Sequence, residues 1–343
     1  MMCAISAERN SVFEGMHPRR MHNPASSPRP STTATDLPIA RAAVAPAKPA
    51  LPPPTTQKSK LCRVPMPPYC ARTRRAPSRE LRPFEDKLPT ATKADAAVTG
   101  SRRIARCIVD GTTNEGVLED ETFVFDGRRM PIASVRFCAP CQPTKIIGVG
   151  RNYADHAAEM NNPLPAQPLL FFKPPSALNY HDGDVPYPPQ SRQVDYEGEL
   201  GVVIGRRCKD VSREEAPDVI LGYTICNDFT ARDLQRSDGQ WARAKGFDGF
   251  APIGPCIVTG IDPSTLRVRT YLNKERRQDA PTSSLIFDVP TLVAYISAAF
   301  TLEPGDVIST GTPAGVAPVK PGDVVEVAIE GIGVLRNRIV AAR

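Results

Sequence analysis

No stretch of this chain approaches the ~18 apolar residues of a membrane-spanning helix, so no helical membrane span is expected; a membrane role for the basic first hundred residues is the less favoured reading, and no membrane partner is expected. Nor does the start carry the apolar run of a secretory signal. The nine cysteines are odd in number and lack framework spacing, which fits reduced thiols in a cytosol-like compartment. Cys138-Ala139-Pro140-Cys141 is a lone CxxC without a second pair or a redox context, and it reads as part of a linker. Gly148-x-Gly150 lacks the third glycine of a dinucleotide fingerprint, so a Rossmann reading falls away. Histidine is scarce too: only His156 and His181 lie beyond residue 100.

What is abundant is unevenly spread. Residues 1–100 hold 16 of the 37 prolines and 16 Lys/Arg against 7 Asp/Glu. Segments such as Arg41 to Pro54 show no sustained helical or strand period, and their prolines remove backbone donors. Residues 1–100 are therefore expected to be a disordered Pro/Arg-rich extension. The chain's net charge of +6 belongs to this extension. The remainder is mildly acidic, so no nucleic-acid partner is expected. The location expected is cytoplasmic, with organellar targeting by the basic extension left open.

From Arg103 the pattern changes. Ile104–Val109 and Glu121–Phe125, joined by turn residues, predict a small strand-rich module that runs through a linker to residue 142. Lys145–Gly150 then opens a second unit spanning 143–343. Within it, Val194 to Gly205 reads as a strand entering a buried sheet. Strand side chains alternate, so Glu197 and Glu199 share a side, with Asp195 one step further along it. Such carboxylates repel one another and are costly to bury unless a positive charge sits among them. A second apolar strand, Gly222–Asn227, delivers Asp228. Glu197, Glu199 and Asp228 with water make an oxygen-only shell suited to Mg²⁺ or Mn²⁺, with Ca²⁺ as the alternative. A solvated acidic edge strand is the plainer reading of E-x-E alone.

Other residues join this picture. Arg151–Met160 is helix-compatible and places His156 and Glu159 three apart on one face, where a carboxylate orients an imidazole as a water-activating base requires. Ser212 followed by Glu215 reads as a capped helix start. Lys245 sits among small and aromatic residues that desolvate it. Pro290–Phe300 is helix-like, and Thr310–Gly315 is a glycine loop able to hold a carboxylate on bare amides.

Together these pieces resemble the fumarylacetoacetate hydrolase family. The motifs Arg151-Asn152-Tyr153-Ala154-Asp155-His156, Asp195-Tyr196-Glu197-x-Glu199, Asn227-Asp228-x-Thr230-Ala231-Arg232-Asp233, the Lys245 loop and Gly311-Thr312-Pro313-x-Gly315 follow the family's order over residues 103–343. The short isomerase-like and acylpyruvase-like members are the most similar. Longer members carry a fourth metal carboxylate where this chain has Arg151-Asn152, which implies three protein ligands here. The resemblance implies an α+β fold built on a mixed β-sheet roll, in a homodimer. It implies Glu197, Glu199 and Asp228 as metal ligands, His156 with Glu159 as a water-activating dyad on a lid, and Lys245 as an electrostatic stabiliser. Arg151, Tyr153, Gln235 and Thr312 would contact a small 2-oxo or dioxo acid. Two adjacent substrate oxygens would chelate the metal, which favours the enolate left by C–C cleavage.

The expected activity is thus metal-dependent C–C hydrolysis of an acylpyruvate or fumarylpyruvate-type acid. Its rival is an isomerase or decarboxylase of 2-hydroxy-diene or oxaloacetate-type acids from aromatic catabolism, and a non-catalytic metal-binding dimer is the reading from another class. The extension is expected to be dispensable, because it has little apolar surface to bury. A chain beginning at Ser101 should match the full chain in thermal unfolding and turnover, and an insoluble or inactive product would show that the extension is part of the folded body.

Overall fold

The computed structural model of the chain describes residues 100–342, so the predicted extension lies outside the described residues apart from Gly100. The fold is α+β, with three sheets and few helices among the described residues. None of those helices is long and apolar enough to cross a membrane.

The large sheet has 12 strands. Arg103–Val109, Thr112–Glu119, Thr122–Phe125 and Arg128–Pro131 form an antiparallel meander at one end. Arg103 and Ile104 pair with Val258 and Ile257, so the strands expected as a separate module extend the main sheet. A meander this small cannot cover its own apolar face, and pairing onto a larger sheet resolves that. The order continues through Ala251–Val258, Ile220–Asn227, Gly198–Ile204, Val307–Ser309, Ile146–Gly150 and Leu169–Lys173. Val307–Ser309 and Ile146–Gly150 run parallel, which makes the sheet mixed.

Gly198–Ile204 is buried along its whole length, as a central strand covered on both faces must be. Its alternation divides two cores. Leu200, Val202 and Ile204 face the principal core with Leu292, Val293 and Ile296 of the Val289–Ala299 helix. Val203 faces the other way, toward Ile146, Ile253 and Val307. The helix starts where its sequence directs: the Asp288 side chain accepts from the Thr291 N–H at 3.1 Å, and Pro290 lies in the first turn. The capped start at Ser212 is present, with Glu215 N–H donating to Ser212 Oγ at 3.2 Å and Ser212 N–H to Glu215 Oε2 at 3.0 Å. The helix it opens is only Ala216–Val219, because the chain turns at once into the Ile220–Asn227 strand.

A five-stranded sheet orders Glu275–Pro281, Arg267–Leu272, Val324–Ile329, Gly333–Ala341 and Asp184–Tyr187. A small third sheet joins Thr230–Ala231, Val194–Asp195 and Pro318–Val319. The expected single strand through the acidic stripe is therefore broken at Tyr196-Glu197: Asp195 belongs to the small sheet and Glu199 to the large one. In the linker, Cys138 and Cys141 are buried. Burial pushes the Cys141 thiol up to about 12, which leaves it inert as a nucleophile or ligand.

Gly148 is required by space rather than by backbone shape. A Cβ built there would meet the Phe171 ring at 2.1 Å, and that ring in turn packs on Trp241 and under Lys245. Gly148→Ala should lower stability by about 1–3 kcal/mol through overpacking, seen as a lower denaturation midpoint with an unchanged slope.

Candidate active site

Hydrogen bonds from main-chain amides set the acidic cluster. At the break between the two sheets, Glu197 N–H donates to Asn227 Oδ1 at 3.0 Å. Its carbonyl accepts from Asp228 N–H at 2.8 Å. The two acidic residues are thereby locked to one another, and Glu199 stands opposite Cys226 on the neighbouring strand. One carboxylate oxygen from each of Glu197, Glu199 and Asp228 lies within 4.8 Å of the others. All three residues are at most 4 % exposed.

Three cations surround them. Lys245 Nζ donates to Glu197 Oε2 at 2.8 Å and also to Asp228 Oδ2. Lys173 Nζ donates to Asp228 Oδ1 and, at 3.0 Å, to the Phe229 carbonyl. Arg232 reaches Glu197 through Nη2 and Asp195 Oδ2 through Nε at 2.8 Å. Burial alone would raise the Glu197 carboxyl, yet Lys245 and Arg232 outweigh it and hold it well below the carboxylate range. Against the burial that would lower it, Asp228 and Glu197 keep the Lys245 ammonium above the ordinary lysine range. Glu199 has no cation of its own. Its Oε2 accepts from Ser309 Oγ at 2.6 Å and from Gly311 N–H at 2.8 Å. Burial, with Asp228 and Glu197 nearby, pushes it up to about 8.

His156 is buried on the six-residue helix Ala154–Glu159 and lines the same cleft as the acidic cluster. Its Nδ1 lies 3.2 Å from Glu159 Oε2, and Glu159 Oε1 accepts from Gly315 N–H at 3.0 Å. The Gly315 carbonyl accepts from Tyr196 Oη at 2.8 Å, so the helix that carries the histidine is tied to the glycine loop and, through it, to the acidic segment. Arg151, Gln235, Lys245 and Thr312 also line the cleft.

Two expected substrate contacts are altered by their surroundings. Tyr153 is 3 % exposed and is not among the cleft-lining residues; it begins the short helix and faces the interior. Thr312 borders the cleft, but its hydroxyl donates to the Gly198 carbonyl at 2.9 Å and accepts from Gln278 Nε2 at 2.7 Å. Asp195, third in the acidic stripe, is paired with Arg232 and Gln193 and stands outside the cluster. The Asn152 side chain is fully buried and bonds only to backbone, and the half-exposed Arg151 lines the cleft.

Lys173, Arg232, Ser309 and Gln278 were not singled out from sequence. Only Arg232 left a signal, as a basic residue in the same motif as Asp228. The donors fit a hard divalent cation: they are all oxygen, buried and convergent.

The model of the fumarylacetoacetate (FAA) hydrolase C-terminal family matches residues 145–340. An uncharacterized protein of Archaeoglobus fulgidus is 53% identical over 239 residues, covering 69% of this chain and 96% of that protein. Among solved structures, 2-hydroxyhepta-2,4-diene-1,7-dioate isomerase from Mycobacterium marinum is 44% identical with a TM-score of 0.66, covering 70% of this chain and 98% of that one. Maleylpyruvate hydrolase from Sphingobium sp. SYK-6, solved with manganese(II) and pyruvate, is 31% identical with a TM-score of 0.61, covering 70% and 100% respectively.

Glu197→Ala, Glu199→Ala and Asp228→Ala should each weaken Mn²⁺ binding, read by electron paramagnetic resonance of the free ion. A cation would be held by the charged form of Glu199, and below about 8 its carboxyl holds a proton. Cation binding should therefore release nearly one proton at about pH 7 and almost none above about pH 9. Calorimetry in two buffers of different ionisation enthalpy measures this, and undiminished release in Glu199→Gln would contradict the assignment.

Proposed function

The chain belongs to the fumarylacetoacetate hydrolase family, whose members include hydrolases, isomerases and decarboxylases, and from that premise we propose that it is a hydrolase cleaving a C–C bond in an acylpyruvate-type dioxo acid. The observation that carries this reading is His156, with Glu159 at its Nδ1, standing in one cleft with the acidic cluster.

Glu197, Glu199 and Asp228 would hold Mg²⁺ or Mn²⁺. The bound cation supplies Lewis-acid polarisation of the 2-oxo acid's oxygens. Everything else falls to the chain's own side chains. Glu159 accepts at His156 Nδ1, which leaves Nε2 as the basic nitrogen, able to take a proton from water. Gly315 N–H on the far oxygen of Glu159 keeps that carboxylate from turning away. Lys245 Nζ, desolvated and 4.5 Å from the Phe171 ring centroid, offers a fixed positive charge where negative charge develops on the departing fragment. Phe171 and Trp241 give the cleft an apolar side. The reading includes a homodimer, supported by the family resemblance and open to a mass measurement in solution.

Isomerisation or decarboxylation by the same residues is the second reading, and the isomerase of M. marinum at 44% identity favours keeping it. Those reactions move a proton or lose CO₂ without an attacking water.

The water-activating role of His156 separates the two. His156→Ala should leave Mn²⁺ affinity intact while acylpyruvate hydrolysis falls by ~10²–10⁴, the usual loss of a general base. Oxaloacetate decarboxylation, if the wild type has it, should fall much less. Ultraviolet absorbance follows the first reaction and released CO₂ the second; equal losses would overturn water activation by His156.

A further inference from the structure

Gln278 belongs to a strand that lines no part of the cleft, yet its side chain holds both halves of the site. The Glu275–Pro281 strand lies at the edge of the five-stranded sheet, and within it Gln278 alone is buried, at 0 % exposure. The pairing slips just before it: Gln278 stands opposite Thr270 but Arg276 opposite Tyr271, which leaves Arg277 as an extra residue. A bulge of this kind re-aims the side chains around it.

Every hydrogen-bonding group of the Gln278 amide is engaged. Oε1 accepts from Gly198 N–H at 3.0 Å, while Nε2 donates to Thr312 Oγ1 at 2.7 Å and to the Pro313 carbonyl at 2.8 Å. Thr312 Oγ1 donates in turn to the Gly198 carbonyl at 2.9 Å. Both peptide groups that join Glu197 to Glu199 are therefore held, one by Gln278 directly and one through Thr312. The Val307–Ser309 strand pairs only with Gly201 to Val203, so its ladder has ended before Gly198 and side chains take over the backbone groups there. The loop gripped at Thr312 and Pro313 also places Gly311 N–H on Glu199 and Gly315 N–H on Glu159.

Two glycines clear the space for this contact. A Cβ on Gly198 would lie 2.1 Å from Thr270 Oγ1 and 3.2 Å from Gln278 Oε1, and one on Gly315 would lie 2.0 Å from the Arg277 carbonyl oxygen and 3.3 Å from Gln278 Cγ. The acidic segment and the glycine loop thus press on the same side chain from two directions.

We propose that Gln278 is a positioning residue for the cation site and for the His156–Glu159 pair. It sets the separation of the Glu197 and Glu199 carboxylates by fixing the peptides between them, and it holds the loop whose amides brace Glu199 and Glu159. The inference rests on reading the acidic cluster as a cation site.

Gln278→Met keeps the length of the side chain and removes its hydrogen bonds. In the full chain, Mn²⁺ affinity, read from the electron paramagnetic resonance of the free ion, should fall ~10–100-fold, as on loss of an outer partner of metal ligands. Amide hydrogen exchange of the metal-free protein should quicken across residues 311–316. Thr282→Val is the control. It removes the bond from a buried hydroxyl to the Leu266 carbonyl at 2.9 Å, just beyond the same strand, and should lower the denaturation midpoint while leaving both readings as in the wild type. Thr312→Val deletes only the relaying hydroxyl and should lower Mn²⁺ affinity ~3–10-fold, the loss of about one hydrogen bond; it decides the matter if Gln278→Met does not fold. Unchanged affinity in these two variants, or equal changes in Thr282→Val, would overturn the positioning role and leave the cation reading intact. If the wild type takes up no Mn²⁺ while exchange in the loop responds to Gln278→Met and not to Thr282→Val, Gln278 positions the loop and the cation reading fails.

Discussion

Burying carboxylates beside one another is among the least favourable things a fold can do, and this fold does it with Glu197, Glu199, Asp228 and Asp195. Removing one partner from a buried ion pair typically costs 3–5 kcal/mol, so the arrangement persists only while every charge has an answer. Lys245 bridges Glu197 and Asp228, Lys173 gives Asp228 a second cation and Arg232 links Glu197 to Asp195. Glu199, which has hydroxyl and amide donors but no cation, holds its proton up to about 8. The cluster is thus nearly neutral by internal compensation, and it offers a hard cation one carboxyl group whose proton is easily exchanged. The pairing of the Ile220–Asn227 and Gly198–Ile204 strands is what brings Asp228 to Glu197.

The three carboxylates were legible because charged residues at the end of apolar strands contradict their surroundings, and a contradiction of that kind marks a site. The His156–Glu159 pair was legible through helical spacing. Lys173 was not: at the end of Leu169-Leu170-Phe171-Phe172 it looks like the charged terminus of an edge strand, and its burial at 1 % exposure is decided by Asp228, 55 residues away. Asp195 misled for a related reason. Alternation predicts a shared face for as long as one strand continues, and here the chain changes sheets at Tyr196-Glu197. Tyr153 was assigned by resemblance to a substrate contact, but the turn at Arg151 and the burial of Asn152 send it inward. The mixed topology was beyond periodicity altogether, because pairing partners such as Val307–Ser309 and Ile146–Gly150 are set by long-range packing.

The smallest sheet has a consequence out of proportion to its size. Its strands Val194–Asp195, Thr230–Ala231 and Pro318–Val319 come just before Glu197, just after Asp228 and shortly after Thr312. Each segment that carries part of the acid chemistry is clamped there as well as in the large sheet. Arg151, Met160, Asn162 and Trp241 border the same cleft and belong to no sheet. The molecule therefore separates what must stay constant from what can vary. Exchanges along the loop-borne wall would alter which molecules are admitted without touching the strand pairing that fixes the carboxylates.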